Sequence, residues 1–161
     1  SYAEEMSQTI IEKLVQKGQK ECKEQSYGEY LLDDYLVTLK DISNDGIKDL
    51  IIDTSRQSCE HSSSWFEGGT GGNEFIFFIN PTNDIVKSWN PLDYYGGNKE
   101  DRIFSFLIRD YYIVPWKDGV ALQMQQHGFL CGVSGDIGCY SILTVSEEGF
   151  KTVKDSTPNS S

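Results

Sequence analysis

No apolar run in this chain approaches the roughly 20 residues that a membrane-spanning helix needs. The longest candidates, residues 75–79 and 103–108, are strand-sized. Positive charge is also scarce. Fourteen Lys and Arg stand against 25 Asp and Glu, for a net charge of −11. Such a polyanion repels nucleic acid and anionic lipid, and attracts cations or basic proteins. Histidine is limited to His61 and His127, so any imidazole chemistry has only those two sources. The serine run 62–64 lacks the Gly-x-Ser-x-Gly turn that exposes a nucleophile. No cysteine pair shows the Cys-x-x-Cys spacing of zinc sites. No internal repeat stands out. No leader is visible, and the chain begins at Ser1 without Met, which fits a leader already removed.

What is present describes an ordinary globular chain, 38% hydrophobic and 24% charged, whose 161 residues suit one domain. We read residues 1–154 as that domain and 155–161 as a flexible tail. Met6, Ile10 and Leu14 recur every four residues, with Ile11 and Val15 alongside. That stripe predicts a helix over about 3–20. Glu4 and Glu5 suit its N-terminus, and Lys17, Lys20 and Lys23 its C-terminal part. Gly18 is expected to weaken or end it.

Beyond residue 30 the period falls to two. Strands are expected at 35–39, 50–53, 75–79, 85–89, 103–108, 111–114, 120–125, 140–145 and 150–153. Turn residues separate them, as in Asn44-Asp45-Gly46 and Lys117-Asp118-Gly119. The pattern predicts a mainly β fold, an antiparallel sandwich or partial propeller with one N-terminal helix. Residues 55–73 and 89–102 read as irregular.

Cys22, Cys59, Cys131 and Cys139 make an even count, which suggests two disulfides and an oxidising compartment, periplasmic or secreted. Three pairings are possible. A hairpin would bring Cys131 to Cys139, which leaves Cys22 for Cys59.

The strongest local motif is Asp41-Ile-Ser-Asn-Asp-Gly-Ile-Lys-Asp49. Oxygen-bearing side chains fall at Asp41, Ser43, Asp45 and Asp49, and Ile47 offers a backbone carbonyl. Gly46 permits the sharp turn that folds them about one point. Ca²⁺ takes 6–8 hard oxygens in tolerant geometry, whereas Mg²⁺ demands a strict octahedron. An EF-hand would need a glutamate where Ile52 stands. The segment resembles instead the Asp-x-Asp-x-Asp-Gly-x-x-Asp loops of FG-GAP-type calcium sites, with Ser43 replacing the usual Asp. Asp53 lies close enough in sequence to compensate.

A second motif runs from His127 to Cys139 and is rich in glycine. A crosslink there would present Ser134, Gly135 and Asp136 at little ordering cost on binding. Taken together, residues 41–49, Cys59, the glycine run 68–72 and the 127–139 segment make the chain similar to a loose group of bacterial exported proteins. Some calcium-loop members of that kind are lysozyme inhibitors or immunity proteins against wall-degrading enzymes. The resemblance implies a protein partner, a basic wall-degrading enzyme, engaged by Ser134, Gly135 and Asp136.

Other chemistries compete. Trp65, Phe66, Trp89, Tyr94, Tyr95 and Trp116 could stack on sugars, as a carbohydrate-binding module does. A Cys–His hydrolase would need a free thiol beside His61 or His127. A zinc site would have to draw on the same cysteines and histidines.

Overall fold

The computed structural model describes residues 2–91 and 97–156. Helix α1 spans Tyr2–Glu24 and buries Met6, Ile10, Leu14, Gly18 and Cys22. It continues past Gly18, against expectation. Gly18 is a point of close approach: a Cβ there would run into the Tyr30 ring. The real terminator is Ser26, whose φ of 59° turns the chain left-handed. The N–H groups of Ser26 and Tyr27 then bond back to the carbonyls of Lys23 and Cys22, closing the last turn.

Strands β1 (Tyr30–Leu32), β2 (Val37–Lys40), β3 (Asp49–Asp53), β4 (Gln57–Cys59) and β5 (Asn73–Phe78) follow, with a 3₁₀ turn at Gly69–Gly71 before β5. A second helix, α2, covers Asn83–Ser88. The remaining strands are β6 (Ile103–Ile108), β7 (Asp110–Trp116), β8 (Gly119–His127), β9 (Gly138–Ser146) and β10 (Gly149–Asp155). One sheet has the order β2-β3-β5-β6 and the other β10-β9-β8-β7, while β1 and β4 form a separate ribbon. All pairings are antiparallel.

The layers are helix, sheet and sheet. Leu50, Ile52, Ile76 and Phe78 face α1 and meet Met6, Ile10 and Leu14. Their neighbours Ile51, Phe75, Phe77 and Ile79 face the second sheet and meet Leu122, Met124, Leu143 and Val145. Strands β3 and β5 are therefore buried on both sides, which explains why they read as unbroken apolar runs. Each such side chain contributes about 1.5–3 kcal/mol by leaving water.

The fold is the expected mainly β sandwich with an N-terminal helix. Gly18 is not the only local expectation to fail: residues 55–73, read as irregular, contain strand β4, and two more follow. Residues 85–89 are not a strand: the Thr82 hydroxyl caps α2 by accepting from the Ile85 N–H at 3.2 Å, and Val86 is buried against α1. The helix satisfies its own backbone, which a short apolar run cannot reveal. The first two residues of the expected tail are held in the fold. Asp155 belongs to β10, and Ser156 exchanges two hydrogen bonds with Tyr140. Residues 157–161 lie outside the described part.

Candidate functional site

Strand directions place two candidate regions at opposite ends of the sandwich. At one end lie the β2–β3 loop, the residues after β5 and the β7–β8 and β9–β10 turns. At the other lie the 69–71 turn, the β6–β7 corner and the long β8–β9 connection.

The first region is organised around Asp49, whose side chain is 0% exposed. Its Oδ2 accepts from the Ile42 N–H at 2.9 Å, the Ser43 N–H at 3.2 Å and the Ser43 hydroxyl at 3.1 Å. Its Oδ1 accepts from the Asn80 N–H at 2.8 Å. Burial pushes the Asp49 carboxyl above the usual carboxylate range, against the pull of those four donors. Both Asp49 oxygens are thus engaged by the protein.

Asp41 faces the loop interior, accepting from the Gly46 N–H at 2.8 Å and the Asp45 N–H at 3.4 Å. Asp45 accepts from the Ile47 N–H at 3.0 Å and from the Asn80 amide. Slight burial raises the Asp45 carboxyl. The Ile47 N–H and the side chains of Asn80, Ser43 and Asp41 outweigh it and hold Asp45 below the usual range. The loop turns through left-handed Asn44, at φ 60°, and Gly46, at φ 82°. Asn44 then clasps the second sheet, donating to the Val120 carbonyl at 3.0 Å and accepting from its N–H at 2.8 Å.

The structure thus brings Asp41, Ser43 and Asp45 together on the solvent side and sets Asp49 behind them. Asp53 instead bonds Ser55 and Arg56, away from the loop. Among the described residues, no three His, Cys, Asp or Glu side chains converge into a cation site. Two residues that the sequence reading missed lie at this end, Asn80 and Glu147. The Asn80 amide nitrogen donates to Asp45 and to Glu147, the latter at 2.9 Å. The sequence around each, Asn80-Pro81 and Glu147-Glu148-Gly149, carries only ordinary turn chemistry.

At the other end the disulfide Cys131–Cys139 closes the connection, with Cα atoms 6.2 Å apart. Ser134 and Asp136 are exposed and hydrogen-bonded to each other. The Ile137 N–H bonds the Ser134 carbonyl at 3.0 Å, which makes the tip a tight turn. Arg109 braces it: its guanidinium donates to the Gly135 carbonyl and, at 3.0 Å, to the Thr70 carbonyl. Two glycine-rich segments far apart in sequence therefore meet over one arginine. They border a shallow cleft of about 440 Å³ that includes His127 and Asp136.

The second disulfide joins Cys22 to Cys59 and ties α1 to β4. All four cysteines are paired, so the thiol that a Cys–His hydrolase or a zinc site would need is not there.

A larger groove, about 550 Å³, runs between α1 and the first sheet and is lined by Lys17, Trp65, Phe66, Glu67 and Glu74. Burial raises the Glu74 carboxyl, offset by the Ser105 hydroxyl and by Lys17. On the ribbon that flanks α1, burial and the nearby Glu21 push the Tyr30 hydroxyl up to about 12. Trp65 packs edge-on against Tyr27 and is 38% exposed. Trp89 packs against Phe78 in the core instead. Tyr94 and Tyr95 lie outside the described residues.

Comparison with family profiles, curated proteins and solved structures gives no match for this chain. The two disulfides fit an oxidising, non-cytoplasmic compartment. No described helix is long and apolar enough to cross a membrane.

Proposed function

We propose that this chain is an exported, periplasmic or secreted, calcium-binding protein that binds and inhibits a protein partner, a basic wall-degrading hydrolase. The observation that carries this reading is the braced tip. A disulfide, Arg109 and a tight turn hold Ser134, Gly135 and Asp136 in one shape before any partner arrives, so little entropy is lost on binding. The net charge of −11 speeds encounter with a basic target. Calcium serves the fold at the opposite end, through Asp41, Ser43, Asp45 and the Ile47 carbonyl.

The test is an inhibition assay against a panel of basic lysozymes, with Ser134→Trp as the probe. We expect wild type to inhibit one of them and the variant to lose inhibition with an unchanged melting temperature. Inhibition that survives the substitution would move the interface elsewhere, and no inhibition of any hydrolase would end this reading.

A glycan-binding reading rests on the groove beside α1, where part-exposed Trp65 lies beside Glu67 and Glu74. Retention on insoluble wall glycan, lost in Trp65→Ala, would favour it.

A further inference from the structure

The two larger sheets have four outer strands, β2, β6, β7 and β10. An outer strand offers unpaired N–H and C=O groups to any extended chain, and most proteins blunt it. Three of the four are blunted here. β2 is only four residues long and ends on Lys40. β7 carries Pro115. β10 carries Lys151 and Lys154, with a register shift between Thr152 and Lys154. β6 has no charge, no proline and an unbroken register with β5.

Register decides where its free groups point. The Thr54 N–H bonds the Glu74 carbonyl, so Glu74 and Ile76 turn their backbone groups to β3. Phe75 and Phe77 then bond Phe106 and Phe104, and the backbone groups of Ile103, Ser105 and Leu107 point out of the sheet. Ile103 exchanges two bonds with Asn98. Among the described residues, nothing bonds the backbone N–H and C=O of Ser105 and Leu107. Leu107 is 60% exposed. Both side chains border the groove of about 550 Å³ beside α1, across from Ile76 and Glu74. The Ser105 hydroxyl donates to Glu74 at 2.9 Å. Glu21, Glu67 and Glu74 outnumber Lys17 there, and Lys17 already bonds Glu21 at 3.1 Å.

We propose that β6 is a peptide-docking edge: an extended segment of a partner protein adds as a fifth, antiparallel strand, with a lysine or arginine turned into the groove toward Glu74. Ser105 and Leu107 supply two donors and two acceptors aimed at that segment. Directly opposed residues of neighbouring strands point to the same face, so the partner residue across from Ser105 or Leu107 sets its side chain over the groove. It lies two strand spacings of about 4.8 Å from β5, a gap that a long cationic stem and the Glu74 side chain close between them. Leu107 and Trp65 give the stem apolar cover. Burial already disfavours the Glu74 carboxylate, and a cation beside it offsets that cost. Backbone bonds hold any extended sequence, and the groove selects a basic one. The net charge of −11 draws the same kind of partner. The edge needs neither the 134–136 tip nor a metal ion.

The probe is the blocked peptide acetyl-Thr-Val-Lys-Val-Thr-amide, added to the intact, disulfide-bonded protein and followed by NMR at the Ser105 and Leu107 amides. We expect both signals to shift, and the same peptide with Glu in place of Lys to bind about tenfold more weakly, because it meets like charge. Methylating the lysine's backbone nitrogen, which leaves the protein untouched, is expected to abolish binding. Leu107→Pro removes one outward donor at an edge position that tolerates proline, and should weaken binding about tenfold with an unchanged circular dichroism spectrum. Glu74→Gln should keep binding and erase the preference for Lys over Glu. Unshifted amides at millimolar peptide, or equal binding of the methylated peptide, would overturn the docking edge. Equal binding of the Lys and Glu peptides to wild type would overturn the basic occupant. A dimer in sedimentation that Leu107→Pro dissolves would give the edge to a second copy of this chain and end the peptide proposal.

Discussion

The two ends of the sandwich solve one problem in opposite ways. Each must hold an irregular, polar loop in a single shape. At the β2–β3 end the anchor is a buried carboxylate, Asp49, that gathers four donors from the loop and from Asn80. At the β8–β9 end the anchor is covalent and cationic, a disulfide plus the Arg109 guanidinium on two carbonyls. The first loop keeps the carboxylates of Asp41 and Asp45 on its solvent side, closed over the N–H groups of Asp45, Gly46 and Ile47. The second turns a serine and an aspartate outward from a fixed backbone. A loop can be rigid without being apolar, provided its donors and acceptors are matched, and the choice of anchor decides what it presents.

The contrast can be broken experimentally. The largest effect is expected for Asp49→Ala, which strands four donors, three of them on buried or part-buried backbone. Denaturant unfolding should show a loss of about 3–5 kcal/mol. A loss below about 1 kcal/mol would mean that the loop is not held by this carboxylate.

Next come the two crosslinks. By loop-closure entropy, replacing Cys22 and Cys59 by serine should cost about 4 kcal/mol, and replacing Cys131 and Cys139 about 2.5, because the sequence separations are 37 and 8. The shorter crosslink should matter more for partner affinity than for stability. If instead the short one proves the larger loss, the tip is part of the fold's core and not an add-on.

The smallest effect is expected at Glu74, a half-buried carboxylate outside both loops with the Ser105 hydroxyl as its side-chain donor, at 2.9 Å. Its pKa is raised in the folded state. The folded protein therefore holds that proton more tightly than the unfolded chain, so Glu74 favours folding at low pH, and this contribution is lost as pH rises through the raised value. Glu74→Gln should match wild type below the usual carboxylate range and melt slightly higher at neutral pH, by less than about 1 kcal/mol. A variant less stable than wild type at neutral pH would show that one donor and Lys17 suffice to make a buried carboxylate favourable, removing the distinction from Asp49.

Much of the architecture was legible beforehand because periodicity and burial are two views of the same constraint. The stripe Met6–Ile10–Leu14 and the alternation Val120, Leu122, Met124 report faces that must leave water, and they lie where expected. The unbroken runs at 50–53 and 75–79 were ambiguous alone, but they mark strands covered on both sides. Residues 85–89 misled because a short apolar run carries no period, and the deciding feature was the Thr82 cap. Gly18 misled because close packing of Tyr30 looks in sequence like a helix stop. At the candidate sites, Asp41, Ser43 and Asp45 were readable from their spacing within one turn. Asn80, Glu147, Thr70 and Arg109 were not, since each acts across a long sequence separation and has no local signature.

By itself, then, the sequence determined the elements and the local chemistry: the amphipathic helix, the strands, the even cysteine count and the acidic turn. These depend on neighbours within a few residues, where covalent geometry already restricts the outcome. The tertiary structure alone decided which distant groups meet. It set Asp49 inward and Asp41 and Asp45 outward, brought Asn80 and Glu147 to the same acidic end, and laid two glycine-rich segments over Arg109. Those contacts arise from how two sheets stack and which ends their strands share, a property of the packed whole that no local window of sequence contains.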